Sequence, residues 1–259
     1  MGQRAPIALI TGGRRGIGRG IAYALADAGF DLVVNDLIDD AATRETLEAL
    51  RAKGRRAAFV QGSIADLAAH ARLADAAFGA FGAVDCLVNN AGIQVKVRGD
   101  LLDVKPETFD EILAVNLRGT FFLTQAVAKR MLAEHPAPEA PPRSIVTISS
   151  VNARIVSLNR AEYCIAKTGL TMMNQLFAMR LAAADIACFE IRPGIIRSDM
   201  TAPVKERYDR AIADGITPIR RWGEPHDVGR TVAALAQRLL PFNTGDAFHV
   251  DGGLHIKAF

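Results

Sequence analysis

Two periods alternate along this chain. Short, almost uninterrupted apolar runs fall at residues 7–10, 32–35, 57–61, 86–88, 144–148, 187–191 and 247–250. Between them lie longer stretches, 16–28, 41–53, 67–81, 106–132, 162–184 and 225–237, in which apolar positions recur every three or four residues. The first kind reads as strands buried on both faces, the second as amphipathic helices. Their alternation predicts an α/β Rossmann fold, a doubly wound, seven-stranded parallel sheet with helices on both faces. No internal repeat and no long linker divides the chain, so residues 1–259 are expected to form a single domain. The proline-rich stretch 135–142 lacks amide donors and predicts a surface loop.

Composition narrows the function classes. Half of the residues (50%) are hydrophobic and 23% are charged, which suits a large core and excludes a disordered chain. Lys and Arg number 31 against 28 Asp and Glu. The arginine doublets at 14–15, 55–56 and 220–221 are scattered, so no nucleic-acid face is expected. Cys86, Cys164 and Cys188 are odd in number, lack CxxC spacing and sit among apolar neighbours, as buried thiols of a reducing compartment do. The five histidines are dispersed without ligand spacing, and no metal site is expected. The first apolar run is too short for a secretory leader, and no stretch reaches the ~18 apolar residues of a membrane span. The expectation is a soluble, cytoplasmic protein with neither a nucleic-acid nor a membrane partner.

Chemistry enters at the end of the first strand. Thr11-Gly12-Gly13-Arg14-Arg15-Gly16-Ile17-Gly18 runs straight into a helix. Glycines allow a sharp turn and a close approach by a pyrophosphate, and a helix N-terminus offers it free N–H groups. Asp36 ends the second strand, eighteen residues beyond Gly18, where a carboxylate bonds both ribose hydroxyls of an adenosine. That carboxylate would repel a 2′-phosphate and favours NAD. The Arg15 guanidinium could pair with such a phosphate and keeps NADP possible. A Rossmann-like methyltransferase shares this loop and acid. Further on, Tyr163 and Lys167 stand four apart on one helix face, and Ser150 follows the strand 144–148 at the sheet's carboxyl edge. An ammonium beside a phenol lowers its pKa toward the working range, and a serine hydroxyl can hold the reacting oxygen.

These motifs together resemble the short-chain dehydrogenase/reductase family, in its compact single-domain branch and its 3-oxoacyl-(acyl-carrier-protein) reductase-like members. The glycine loop matches TGxxxGxG, with Gly12, Arg15, Gly16, Ile17 and Gly18 at the cofactor. Asn89-Asn90-Ala91-Gly92 matches the family's NNAG stretch, with Asn90, Ala91 and Gly92 on the adenosine side, and Asn116 matches the asparagine that holds a proton-relay water. Ser150 precedes Tyr163 by the family's usual thirteen residues, and Tyr163 with Lys167 forms YxxxK. Pro193, Gly194, Ile196 and Ser198 match the segment that holds the nicotinamide carboxamide, with Ser198 where threonine is common. Val250-Asp251-Gly252-Gly253 matches the C-terminal signature of tetrameric members. One departure stands after the third strand, where Ser63 and Ile64 replace the usual Asp-Val or Asp-Leu at the adenine.

The resemblance implies NAD(P)-dependent hydride transfer between a secondary alcohol or ketone and a nicotinamide cofactor. Tyr163 would take the proton, Ser150 orient the oxygen, Lys167 lower the Tyr163 pKa and bind the nicotinamide ribose, and Asn116 position a water. An NADPH-dependent 3-oxoacyl-(acyl-carrier-protein) reductase is the near alternative, and a catalytically silent dinucleotide-binding sensor the distant one. Position suggests Gln94, Asn152, Arg154, Asn159 and Met200 as substrate contacts for a small molecule, with 199–208 as a short helical lid. Apolar excess in 113–132 and 170–181, and the stretch 247–259, imply a homotetramer.

Overall fold

The computed structural model describes residues 4–134 and 139–256, so part of the proline-rich stretch and the last residues of 247–259 lie outside the described residues. Seven strands form one sheet: β1 Ile7–Thr11, β2 Asp31–Asp36, β3 Ala57–Gln61, β4 Cys86–Asn89, β5 Arg143–Ile148, β6 Ile186–Pro193 and β7 Ala247–Val250. All six pairings are parallel, in the order β3-β2-β1-β4-β5-β6-β7. The chain therefore reverses direction across the sheet between β1 and β4, and a crevice opens at the carboxyl ends of those two strands.

Among the described residues, eight α-helices cover the faces: α1 Gly16–Asp27, α2 Ala41–Ala52, α3 His70–Phe81, α4 Pro106–Leu113, α5 Thr120–Ala133, α6 Ala161–Leu181, α7 Lys205–Ala213 and α8 Pro225–Ala236. One core lies where α1, α2 and α8 meet the sheet, through Ile21, Leu25, Leu50, Val228 and Val232. The other lies under α3, α5 and α6, through Leu73, Phe78, Leu123, Val127 and Leu181. The inner strands β1, β2, β4, β5 and β6 are buried almost throughout, as their continuous apolar sequence requires, while the edge strands β3 and β7 are half-buried.

Two elements depart from the periodic reading. The continuous helix expected over 106–132 is interrupted by a π-helical segment, Ala114–Gly119. Asn116 lies in it, fully buried, and both ends of its amide are drawn onto the Ile93 backbone: Ile93 N donates to Oδ1 at 2.8 Å and Nδ2 donates to Ile93 O at 2.8 Å. A side chain clamped this way fixes the wider turn, and π segments gather at functional sites. Strand β6 runs on through Arg192, which is only 6% exposed because Glu190 pairs with it from the same strand face.

Candidate active site

A cleft of about 670 Å³ follows the crevice. It is lined at one end by Asp36, Ser63 and Ile64, in the middle by Gly12, Arg15, Gly16, Ile17 and Gly18 with Asn90, Ala91 and Gly92, and beyond them by Ser150, Tyr163, Lys167, Pro193, Gly194, Ile196 and Ser198. Gln94, Asn152 and Met200 also line it.

The glycine loop owes its shape to its sequence. Gly12 has φ +64°, and a Cβ on Gly18 would come within 2.1 Å of the Gly12 carbonyl oxygen. Thr11 Oγ1 accepts from the backbone N–H groups of Asn90 and Ala91, each at 3.0 Å, while Asn90 Nδ2 donates to Thr11 O and Gly12 O. The loop is thus tied to the end of β4. No side chain caps α1, which leaves the first amides of that helix, on cleft-lining residues, open to an anion. These features fit a dinucleotide pyrophosphate.

The two arginines of the loop part company. Arg14 turns inward, its Nε 3.5 Å from Asp36 Oδ1 and its Nη1 against Asp40. Arg15 reaches across the cleft to Asp199 Oδ2, at 3.2 Å. Asp36 also accepts from the Arg14 amide and from Leu37 N.

At the other end, Ser150 lies two residues past β5 and opens a 3-10 turn, Val151–Ala153, with Asn152 N donating to its Oγ at 3.1 Å. Tyr163 and Lys167 project from the first turns of α6, both buried, with Lys167 Nζ 5.6 Å from the Tyr163 ring centre. Lys167 Nζ donates to Ile148 O at 3.1 Å. Burial lowers the lysine to about 8, against the pull of Glu190. Burial also pushes the Tyr163 phenol above its ordinary value, opposed by the Arg160 guanidinium and then by the Ser150 hydroxyl. Desolvation prevails, and Arg160, 5.4 Å from the ring centre, is the main opposing charge.

Asn116 lies beneath the cleft, its side-chain amide engaged by Ile93 in both directions. Two expectations change. Arg154 is exposed and outside the cleft, because the 3-10 turn directs Asn152 inward, with Nδ2 on Ile155 O at 2.8 Å, and carries the chain on outward. Asn159 also lies outside the cleft, its Oδ1 accepting from Ser157 Oγ at 3.1 Å. In their place the lining includes Arg98 and Arg160, which position in the sequence did not single out, together with Asp199 and Tyr208 from the ends of the expected lid. Arg160 could have been found from its place three residues before Tyr163. Arg98 carries no such signal. Trp222, the single tryptophan, packs on Tyr208 with ring centres 5.8 Å apart and donates from Nε1 to Asp209 at 2.7 Å.

Comparison with known proteins gives concordant matches. Residues 12–255 match the family model described as Enoyl-(Acyl carrier protein) reductase. The chain is 32% identical to a 3-oxoacyl-(acyl-carrier-protein) reductase of Staphylococcus aureus, over 96% of this chain and 98% of that one. It is 31% identical to a 2-dehydro-3-deoxy-D-gluconate 5-dehydrogenase of Dickeya dadantii, over 95% and 94% of the two chains. In structure it resembles a 3-oxoacyl-(acyl-carrier protein) reductase from Brucella melitensis solved in complex with NAD, with a TM-score of 0.95 and 52% identity over 100% of both chains.

Proposed function

The chain belongs to the short-chain dehydrogenase/reductase family and is an NAD(P)-dependent oxidoreductase of CH–OH and C=O groups, and on that premise we propose how its own residues divide the work and which cofactor they prefer. The observation that carries the reading is the convergence of Ser150, Tyr163 and Lys167 on one buried end of a cleft whose other end holds Asp36. A bound nicotinamide supplies the hydride acceptor or donor. Tyr163 takes the hydroxyl proton in the alcohol direction and returns it in the other. Ser150, held by the Asn152 amide, donates to the reacting oxygen. Lys167 donates to Ile148 O with its Nζ 5.6 Å from the Tyr163 ring centre, and, with a pKa near the working range, it passes the proton on or holds a cofactor hydroxyl.

NAD is preferred over NADP in this reading. Asp36 would meet the added phosphate directly, while Arg15 is engaged by Asp199 and Arg14 by Asp36 and Asp40. The test is NAD⁺-coupled oxidation of a panel of secondary alcohols by the native protein and by Tyr163→Phe. Loss of at least ~10²-fold in turnover with cofactor binding retained supports the assignment, and near-native turnover refutes it. A second reading, reduction of a 3-oxoacyl thioester, is favoured by the apolar side chains Ile155, Val156, Met200 and Leu254 along the cleft.

The same proposal includes a homotetramer. Ile165, Met172, Leu176 and Met179 on α6 and Phe122 on α5 stand exposed, an apolar stripe that a second copy would cover. Among the described residues no helix is long and apolar enough to cross a membrane, which is consistent with a cytoplasmic enzyme.

A further inference from the structure

The substrate end of the cleft carries an unbalanced charge. Its lining includes two guanidinium groups, Arg98 and Arg160, whereas the acids lining the cleft are Asp36 and Asp199, each already facing an arginine of the glycine loop. Arg160 spends only its Nε, which donates to Ser157 Oγ at 3.1 Å. Its terminal nitrogens and all those of Arg98 make no hydrogen bond or ion pair among the described residues. Gln94, in the lining of the same cleft, presents a buried Oε1 that no donor satisfies. A buried acceptor without a partner is costly, and a guanidinium fork left open in a half-buried cleft suits a planar oxyanion.

Position makes the oxyanion informative. The Arg160 guanidinium carbon stands 5.4 Å from the centre of the Tyr163 ring. A group bound by its free nitrogens therefore lies within a few bonds of the carbon whose oxygen meets the phenol. We infer that the substrate is a short hydroxy acid or its oxo form, with the carboxylate held by Arg160, Arg98 adding charge, and a further substrate hydroxyl donating to Gln94 Oε1. The inference rests on the proposed alcohol–ketone chemistry at Tyr163 and names its substrate class. It separates this cleft from one built for an acyl-carrier thioester, which offers a neutral carbonyl, and no oxyanion, beside the reacting carbon.

Matched pairs test this. D-Gluconate is compared with D-sorbitol, and each enantiomer of 3-hydroxybutyrate with 1,3-butanediol, as NAD⁺-coupled substrates of the full chain. Acetoacetyl-CoA with NADH serves as the thioester. One acid at least is expected to exceed its neutral partner in kcat/KM by about tenfold or more, the worth of a charge-assisted hydrogen bond. Arg160→Met is expected to lower that acid-to-neutral ratio by about ten- to a hundredfold, with Arg160→Lys restoring part of it. The ratio is the decisive quantity, because a loss of fold or of Tyr163 activation depresses both members of a pair alike. Equal use of acid and neutral partner, an unchanged ratio in Arg160→Met, or faster use of the thioester than of every acid overturns the inference. Turnover of none of the acids overturns it whatever the other compounds do, and the proposed activity falls with it only if NADH also fails to bind, read from NADH fluorescence in the same preparation.

Discussion

Replacing Lys167 with methionine should make the protein more stable and inactive. The lysine is 4% exposed, and its ammonium is held by one neutral acceptor, Ile148 O at 3.1 Å. Burial brings it from an ordinary 10.5 to about 8. At about 1.4 kcal/mol per pH unit, that gap corresponds to roughly 3 kcal/mol by which the folded state disfavours the charged form. The sign follows from proton counts. Below about pH 8 folded and unfolded chains both carry the proton, and the folded state bears the full cost. Between about 8 and 10.5 the folded chain releases the proton while the unfolded chain keeps it, so stability rises with pH, and above 10.5 the cost is gone. Methionine keeps most of the volume and removes the charge but also the bond to Ile148, worth about 1 kcal/mol. The net expectation at pH 7 is a gain of about 1–3 kcal/mol. Urea unfolding followed by circular dichroism, from pH 6 to 10 at fixed protein concentration, measures it. The gap between variant and native protein should be constant to about pH 8 and then close. A less stable variant at pH 7, or a gap that ignores pH, would refute the reasoning. A stabilising change that abolishes turnover marks a residue kept for chemistry rather than for the fold.

Three other outcomes are expected. Glu190→Ala strands the buried Arg192 and frees Ser149 and Thr171, both of which donate to Glu190 Oε1, so a loss of about 3–5 kcal/mol should appear in the same unfolding assay, with Glu190→Gln milder. Asp36→Ala removes the carboxylate beside Arg14 and should raise kcat/KM for NADP⁺ relative to NAD⁺ by about tenfold or more, measured with one alcohol and both cofactors. Met179→Glu, at a position 84% exposed on α6, should leave the monomer folded and shift light-scattering mass from tetramer to a smaller species.

Much of the fold was legible because buried parallel strands write themselves as apolar runs, and the bounds of β3 and β7 agree with that reading to the residue. What was hidden depends on partners distant in sequence. Arg192 looks like the end of a strand until Glu190 is seen neutralising it inside the core. The π segment at Asn116 keeps the apolar spacing of a continuous helix, and only the Ile93 contact reveals it. Ser150, Tyr163 and Lys167 were readable as a group because their spacings are short. Arg154, by contrast, looked as good a substrate contact as any residue after Ser150, and only the 3-10 turn Val151–Ala153 shows that the chain carries it away from the cleft. The Tyr163 phenol shows the same limit for electrostatics, because desolvation is a property of the packed protein and not of a four-residue spacing.

The order of the sheet also dictates an order of events. Among the described strands, every hydrogen-bonded neighbour is also the next in sequence except β1 and β4, where Ala8 pairs with Cys86. The segment from β1 to β3 can therefore assemble as the nascent chain emerges, and so can the segment from β4 to β7, each by pairing strands that are neighbours in sequence. Joining them pairs residues nearly eighty apart, Ala8 with Cys86, the widest sequence separation of any pairing in the sheet. The glycine loop follows β1, and its ties to Asn90 and Ala91 follow β4, so the phosphate cradle comes into being at that same junction. A dinucleotide consequently binds only chains that have completed the join. In a refolding experiment its presence should slow unfolding without speeding folding, and cofactor occupancy becomes a report on the last seam of the sheet.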